Sequence, residues 1–186
     1  MTPRVVPSSP MGQHLRNSTT GEQIVFRQRA ADTAGELLEV DWCFPRGGSV
    51  APHVHRYQEE AFEILSGRAW FRVRGRRSEA SQGEGLTVPP GAVHRWGNAG
   101  DAELWARIRF RPALRTEGIF DAMFALARDG RLDRRGRPTP LQMAALLQEF
   151  RHELQMPWLP DPLQRALLGA LAAIAVRRGY RGAYGS

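Results

Sequence analysis

The sequence contains no lysine: all 26 of its basic residues are arginine. Chemistry that needs a protein ε-amine, from pyridoxal-type catalysis to lysine aldolases, is thereby excluded. Cysteine occurs once, at Cys43. No intrachain disulfide can form, and a reducing, cytoplasmic compartment is the expectation. Between Trp42 and Phe44 that cysteine reads as a small buried hydrophobe rather than a reactive thiol. No apolar run reaches the ~20 residues of a membrane span, and the N-terminus lacks the apolar stretch of a signal peptide. A concentrated basic tail is also missing. The formal net charge is +7, but the arginines are spread along the chain, so a nucleic-acid partner is not expected. At 186 residues and 42% hydrophobic content, the chain is long enough to bury one globular core.

What is present is concentrated between Gly47 and Asn98. The stretch reads G-x5-H-x-H-x4-E-x6-G and then G-x5-P-x-G-x2-H-x3-N, carried by Gly47, His53, His55, Glu60 and Gly67, then Gly83, Pro89, Gly91, His94 and Asn98. Alternate residues of a strand share a face, so His53 and His55 point the same way. Glu60 follows the turn-like Arg56-Tyr57-Gln58 and can return on a neighbouring strand. Pro89-Pro90-Gly91 is a turn signal that aims a fresh strand, starting near His94, back toward the same place. Three neutral imidazole nitrogens and one carboxylate suit a borderline divalent ion: Fe, Mn, Co, Ni, Cu or Zn. Such a set leaves coordination positions open for a substrate. Ser-His-Asp or Cys-His catalysis finds no support, because every well-placed histidine is already claimed.

Both motifs, with every spacing met, resemble those of the cupin superfamily, in the single-barrel cupin 2 arrangement with a C-terminal helical extension. The resemblance covers about half the chain. It implies a mainly β fold, an antiparallel double-sheet jelly-roll barrel, holding one divalent transition-metal ion on His53, His55, Glu60 and His94. It also implies a small-molecule substrate or ligand and a lean toward a homodimer, because open sheet edges in cupins often pair between subunits. The activity it points to is a metal-dependent oxidoreductase, dioxygenase-like. The alternatives are a non-catalytic cupin that binds a small ligand or a metal, and a metal-dependent isomerase or cyclase. Trp42, Phe44, Phe62, Ile64 and Trp96 are the candidate apolar wall of the substrate pocket; catalytic residues beyond the metal ligands are not readable. Tyr57 and Glu59 lie near the ligand turn and are weaker candidates for an acid or base.

In chain order, three units are expected: a flexible N-terminal arm (1–22), a cupin β-barrel (23–112) and a C-terminal helical extension (113–186). Strands are expected near 23–30, 36–44, 59–65, 68–74, 77–81, 83–88 and from His94, with 103–111 closing the barrel. Two arginine ladders, Arg72/Arg74 and Arg107/Arg109/Arg111, read as solvated faces paired with nearby acids, or else as an anion-binding wall. After Pro112 the apolar period changes from two to 3.6. One helix should run from a Thr116 cap to about Arg128. A second should start at Thr139-Pro140 and reach about Leu154, and a third should span Asp161 to about Arg178. The third is apolar nearly all round, so burial in a helical cluster or a dimer interface is expected.

Overall fold

The computed structural model describes residues 13–183. Strands β1 (His14–Arg16), β2 (Gln23–Gln28), β3 (Leu38–Phe44), β4 (Glu59–Ser66), β5 (Arg68–Val73), β6 (Arg76–Ser81), β7 (Gly85–Val88), β8 (His94–Asn98) and β9 (Leu104–Arg111) precede helices α1 (Thr116–Arg128), α2 (Pro140–Glu149) and α3 (Asp161–Arg177). The period-two stretches became strands and the 3.6-period stretches became helices, as the apolar spacing requires.

The strands form two antiparallel sheets, one of six strands in the order β1-β2-β3-β9-β4-β7 and one of three in the order β6-β5-β8. Their apolar faces meet. Leu38, Val40, Phe62, Ile64, Ala69, Phe71, Trp96, Leu104, Ala106, Ile108 and Phe110 are each no more than 5% exposed and pack as one cluster. This is the double-sheet jelly roll, with a helical segment behind it. No helix among the described residues is long and apolar enough to cross a membrane.

Between β3 and β4 the chain runs extended along β8, through the bridges Ser49↔Gly97 and His53↔His94. Gly97 makes this approach possible: a Cβ there would lie 2.7 Å from the Gly48 carbonyl oxygen and 2.6 Å from the Ser49 Cβ. Gly91, at φ +75°, turns the chain into β8 and donates its N–H to the His55 carbonyl at 2.8 Å.

Several expectations change. Residues 1–12 of the expected arm lie outside the described residues, but 13–22 are built into the fold. There β1 pairs with β2, and buried Asn17 accepts from the Thr19 and Thr20 N–H groups. His14 is exposed, as expected. Thr116 does not cap α1. Arg115 holds the cap position, and the Thr116 hydroxyl is turned inward to the Gln58 side chain. Helix α2 starts on the Thr139 cap as expected, but stops at Glu149 rather than near Leu154. A turn at 150–153 follows, and Gln155 is paired with Val54.

The helices stack outward in sequence. Phe120 and Phe124 of α1 enter the barrel core, Ala122 and Leu126 pack on Leu146 and Phe150, and Ala144 and Leu147 of α2 pack on Leu168 of α3. The all-round burial expected for α3 does not occur within one chain. Leu163, Leu167, Ile174 and Val176 are 43–65% exposed, because only one side of the helix has a neighbour.

Candidate metal centre

Three segments bring the four expected ligands together. His53 and His55 sit two apart on the extended segment, Glu60 on β4, and His94 at the start of β8. Antiparallel pairing of His53 with His94 fixes one contact. The β4–β9 register, with Glu60 opposite Phe110, places the carboxylate at the same depth. All four are buried, at 2–7% exposure. One donor atom from each lies within 4.8 Å of the others. His53 Nε2 is 3.2 Å from His55 Nε2, His94 Nε2 is 2.6 Å from Glu60 Oε2, and His55 Nε2 is 3.6 Å from that same oxygen.

The outward nitrogens decide the tautomers. His53 Nδ1 lies 2.8 Å from the Ala51 carbonyl, His55 Nδ1 2.5 Å from the Glu153 carbonyl and His94 Nδ1 3.0 Å from the Ala92 carbonyl. A carbonyl only accepts, so each Nδ1 carries a proton; at the inward nitrogens, His94 Nε2 hydrogen-bonds the Glu60 carboxylate, while His53 and His55 turn Nε2 lone pairs toward each other. Two such lone pairs facing each other at 3.2 Å repel unless a cation stands between them.

The electrostatics agree. Burial, reinforced by the neighbouring His55 and His94, pushes His53 down to about 3. Burial and then His94 push His55 down to about 4, against the opposing Glu153 carbonyl. Burial also lowers His94, but its hydrogen bond to Glu60 and the Glu60 charge outweigh that and raise it. Two neutral imidazoles and an imidazole–carboxylate pair in a dry interior fit a dication with bonds of roughly 2.1 Å. The short His94–Glu60 contact is the one that must open to admit it. Among the described residues no second group of three or more His, Cys, Asp or Glu side chains is placed to hold an ion.

The helical segment reaches directly into this centre. Glu153, just beyond α2, supplies the carbonyl that orients His55. Val54 and Gln155 exchange two backbone bonds of 3.0 Å, and Arg56 Nε donates to the Gln155 side chain at 3.2 Å. The buried Glu153 carboxylate accepts from the Arg115 N–H at 3.2 Å. Gln58, also buried, donates to the Pro112 and Ala113 carbonyls and meets the Thr116 hydroxyl. Sequence reading misses these groups. A backbone carbonyl leaves no signature, and the only clue was that Gln58 lies between two ligands. Tyr57 is 54% exposed, outside the centre, and Glu59 stands opposite Arg111 on the face of β4 away from Glu60.

A cavity of about 300 Å³ lies between β3, residues 49–51 and the first two helices, walled by Trp42, Phe44, Phe120, Phe124, Met143 and Leu147. Of the five expected pocket residues, Trp42 and Phe44 line it. Phe62, Ile64 and Trp96 do not: they are 5%, 1% and 1% exposed inside the barrel core, with Phe62 and Trp96 packed ring to ring at 5.0 Å. Alternation put these side chains on the inner face; which inner positions front a cavity was set by where α1 docks. None of the four ligands lines the cavity. It adjoins them through Ala51 and Leu154, next to the carbonyls that hold His53 and His55. Its lining also includes Arg135, Arg137 and Glu22, whose carboxyl burial pushes up to about 7.

Residues 40–106, which contain all four ligands, match the family model described as a cupin domain. No curated protein matches the chain. Among solved structures it is similar to an RmlC-like cupin from Shewanella frigidimarina, at 18% identity over 59% of this chain and 92% of that one, with a TM-score of 0.49. It is similar also to KdgF from a Halomonas species, at 19% identity over 54% and 88%, with a TM-score of 0.48. A predicted oxalate decarboxylase from Thermotoga maritima matches at 20% identity over 55% and 92%, with a TM-score of 0.47. The three helices lie outside the segment matched by the family model.

Proposed function

This chain is a cupin-superfamily protein, its cupin domain matched over residues 40–106, and from that premise we propose that His53, His55, Glu60 and His94 hold one divalent transition-metal ion at the working centre of a dioxygenase-like oxidoreductase for a small organic substrate. The observation that carries the metal reading is the inward convergence of three Nε2 atoms and one carboxylate, with every Nδ1 already bonded outward. A bound ion of this class polarises a carbonyl or enol oxygen and stabilises the negative charge that develops on it.

The chain's own residues do the rest. His53, His55 and His94 supply neutral nitrogen, and Glu60 supplies one negative charge. The Ala51, Glu153 and Ala92 carbonyls keep each ring in the ligating tautomer. Trp42, Phe44, Phe120 and Phe124 offer an apolar enclosure that excludes water from a substrate, with Arg135 and Arg137 also in its lining.

A second reading, a non-catalytic cupin that binds a metal or small ligand, has one observation in its favour: the cavity reaches the ligands only through their supporting carbonyls. Metal content of the purified protein, followed by oxygen uptake with enediols, catechols and thiols, separates the readings. A redox-active metal with uptake supports the oxidoreductase. Zinc without uptake shifts the assignment to an isomerase or cyclase, and ligand binding without turnover to the non-catalytic cupin. The open face of α3, with Leu163, Leu167, Ile174 and Val176, supports a homodimer; light scattering that returns a monomer mass at micromolar concentration contradicts it. The single buried Cys43 supports a reducing, cytoplasmic setting.

A further inference from the structure

The geometry points to a second binding site, for a small anion bearing linked phosphates, on the outer face of the three-stranded sheet. Register puts three arginines in one row across it: Arg72 of β5 lies opposite Arg77 of β6 on one side and Arg95 of β8 on the other. Strands lie about 4.8 Å apart, so the row spans roughly 10 Å. Trp70, two residues from Arg72 and on the same face, stands in the next row opposite Gly97, which has no side chain to cover it. Trp70, Arg72, Arg77 and Arg95 together line a concavity of about 330 Å³. The Arg95 guanidinium lies 4.8 Å from the Trp70 ring centroid, and its buried Nε has no hydrogen-bond partner.

Like charges placed directly opposite one another on a sheet destabilise it. This row has little to offset them. Glu79 is the only acid in the three strands; it meets Arg77 at 3.1 Å and Arg68 at 3.8 Å. Among the described residues neither Arg72 nor Arg95 has an ion-pair partner. Guanidinium forks match phosphate oxygens two at a time. Three forks in a straight row therefore fit an anion whose charge is distributed along its length, such as a pyrophosphate or the phosphate chain of a nucleotide. A concavity of about 330 Å³ lined by these four residues matches a small molecule in size. The site faces away from the metal centre: Phe71 and His94, the sequence neighbours of Arg72 and Arg95, point inward.

Calorimetric titration of the full chain with pyrophosphate, a nucleoside triphosphate, inorganic phosphate and a single-stranded oligonucleotide tests this. Saturable one-to-one binding of pyrophosphate or the triphosphate is expected, tighter than inorganic phosphate and weakened at least tenfold in Arg72→Ala and Arg95→Ala. Arg111→Ala, an exposed arginine of the other sheet, should leave it unchanged. Arg72 is exposed, so its variant should keep the wild-type circular dichroism spectrum. Absence of saturable binding, equal binding by wild type and Arg72→Ala, or an oligonucleotide that binds tighter than the triphosphate would overturn the assignment.

Discussion

The two sheets of the barrel handle charge differently. On the outside of the six-stranded sheet, Arg107 is 2.8 Å from Asp41, and Arg109 meets Glu39 and Glu63 at 2.5 and 3.2 Å. Arg27 adds a 2.6 Å pair to the same Asp41, which is fully buried. Arg27, Arg107 and Arg109 each have an acid on the adjacent strand. On the outside of the three-stranded sheet the adjacent positions hold more arginine. Inside the barrel the imbalance is resolved across the gap, where Glu60 from the large sheet meets His94 from the small one. Arginine-rich strands therefore make a neutralised wall in one place and, with Glu79 the one acid of three strands, an under-compensated one in the other. Alternation fixes which face a charge is on; the partner strand fixes what it meets.

The contrast breaks most sharply at Asp41. Asp41→Ala should cost roughly 3 kcal/mol, the low end for breaking a buried ion pair, because Arg27 and Arg107 keep 11% and 26% exposure and can reach water. Arg72→Ala should change stability by no more than about 0.5 kcal/mol, or raise it. Urea denaturation of both variants decides, and equal losses would erase the distinction between the faces.

Inside, where the two sheets meet, His55→Ala should reduce metal affinity by more than about 100-fold, beyond the roughly 10–100-fold typical of an outer-shell change, with β-structure retained. Unchanged metal occupancy by elemental analysis contradicts the ligand assignment. Gln155→Pro removes the N–H that bonds Val54 and loosens the carbonyl on His55 without touching a ligand. It should weaken metal binding about 10–100-fold. If affinity stays put while the Val54–Gln155 pairing is lost, the helical segment has no part in the centre.

Glu22, just before β2, carries a carboxyl that burial raises. Its folded value near 7 exceeds its ordinary 4.5, so the folded state binds more protons between those values. Its contribution is complete below about pH 4.5 and is lost as pH rises toward 7. Glu22→Gln should remove that slope, a difference of roughly 1–3 kcal/mol between pH 4.5 and 7, measured by denaturation across the range. The smallest effect is expected at Glu63→Gln. Its pair with Arg109 is 30–44% exposed, and the loss should stay below about 1 kcal/mol.

Several features were legible before any coordinates. Period-two apolarity marked β3, β4, β8 and β9, and the switch after Pro112 marked the helices. Thr139-Pro140 gave the start of α2, and the two motif spacings named His53, His55, Glu60 and His94. These are local signals, set by residue type and distance along the chain. Other features were not legible. Phe62, Ile64 and Trp96 satisfy the same alternation as Phe44, yet only Phe44 fronts the cavity, because α1 reaches that part of the barrel and not the others. The early end of α2 follows from pairing with Val54, a residue about a hundred positions away that no window of sequence contains. The N-terminal segment looked loose because its composition carries no period, whereas the strand at His14 exists only through its pairing with β2.

By itself the sequence determined which side chains share a face, where the chain must turn, and which four donors have the spacing to meet. Tertiary structure alone decided that a carbonyl from the helical segment holds His55, that Asp41 faces Arg107 while Arg95 faces Arg72, and where space is left open. The physical reason is that strand period and glycine or proline turns are properties of a few consecutive residues. Register between distant strands and the docking of helices are properties of the whole packed chain, and they set every contact that is not local.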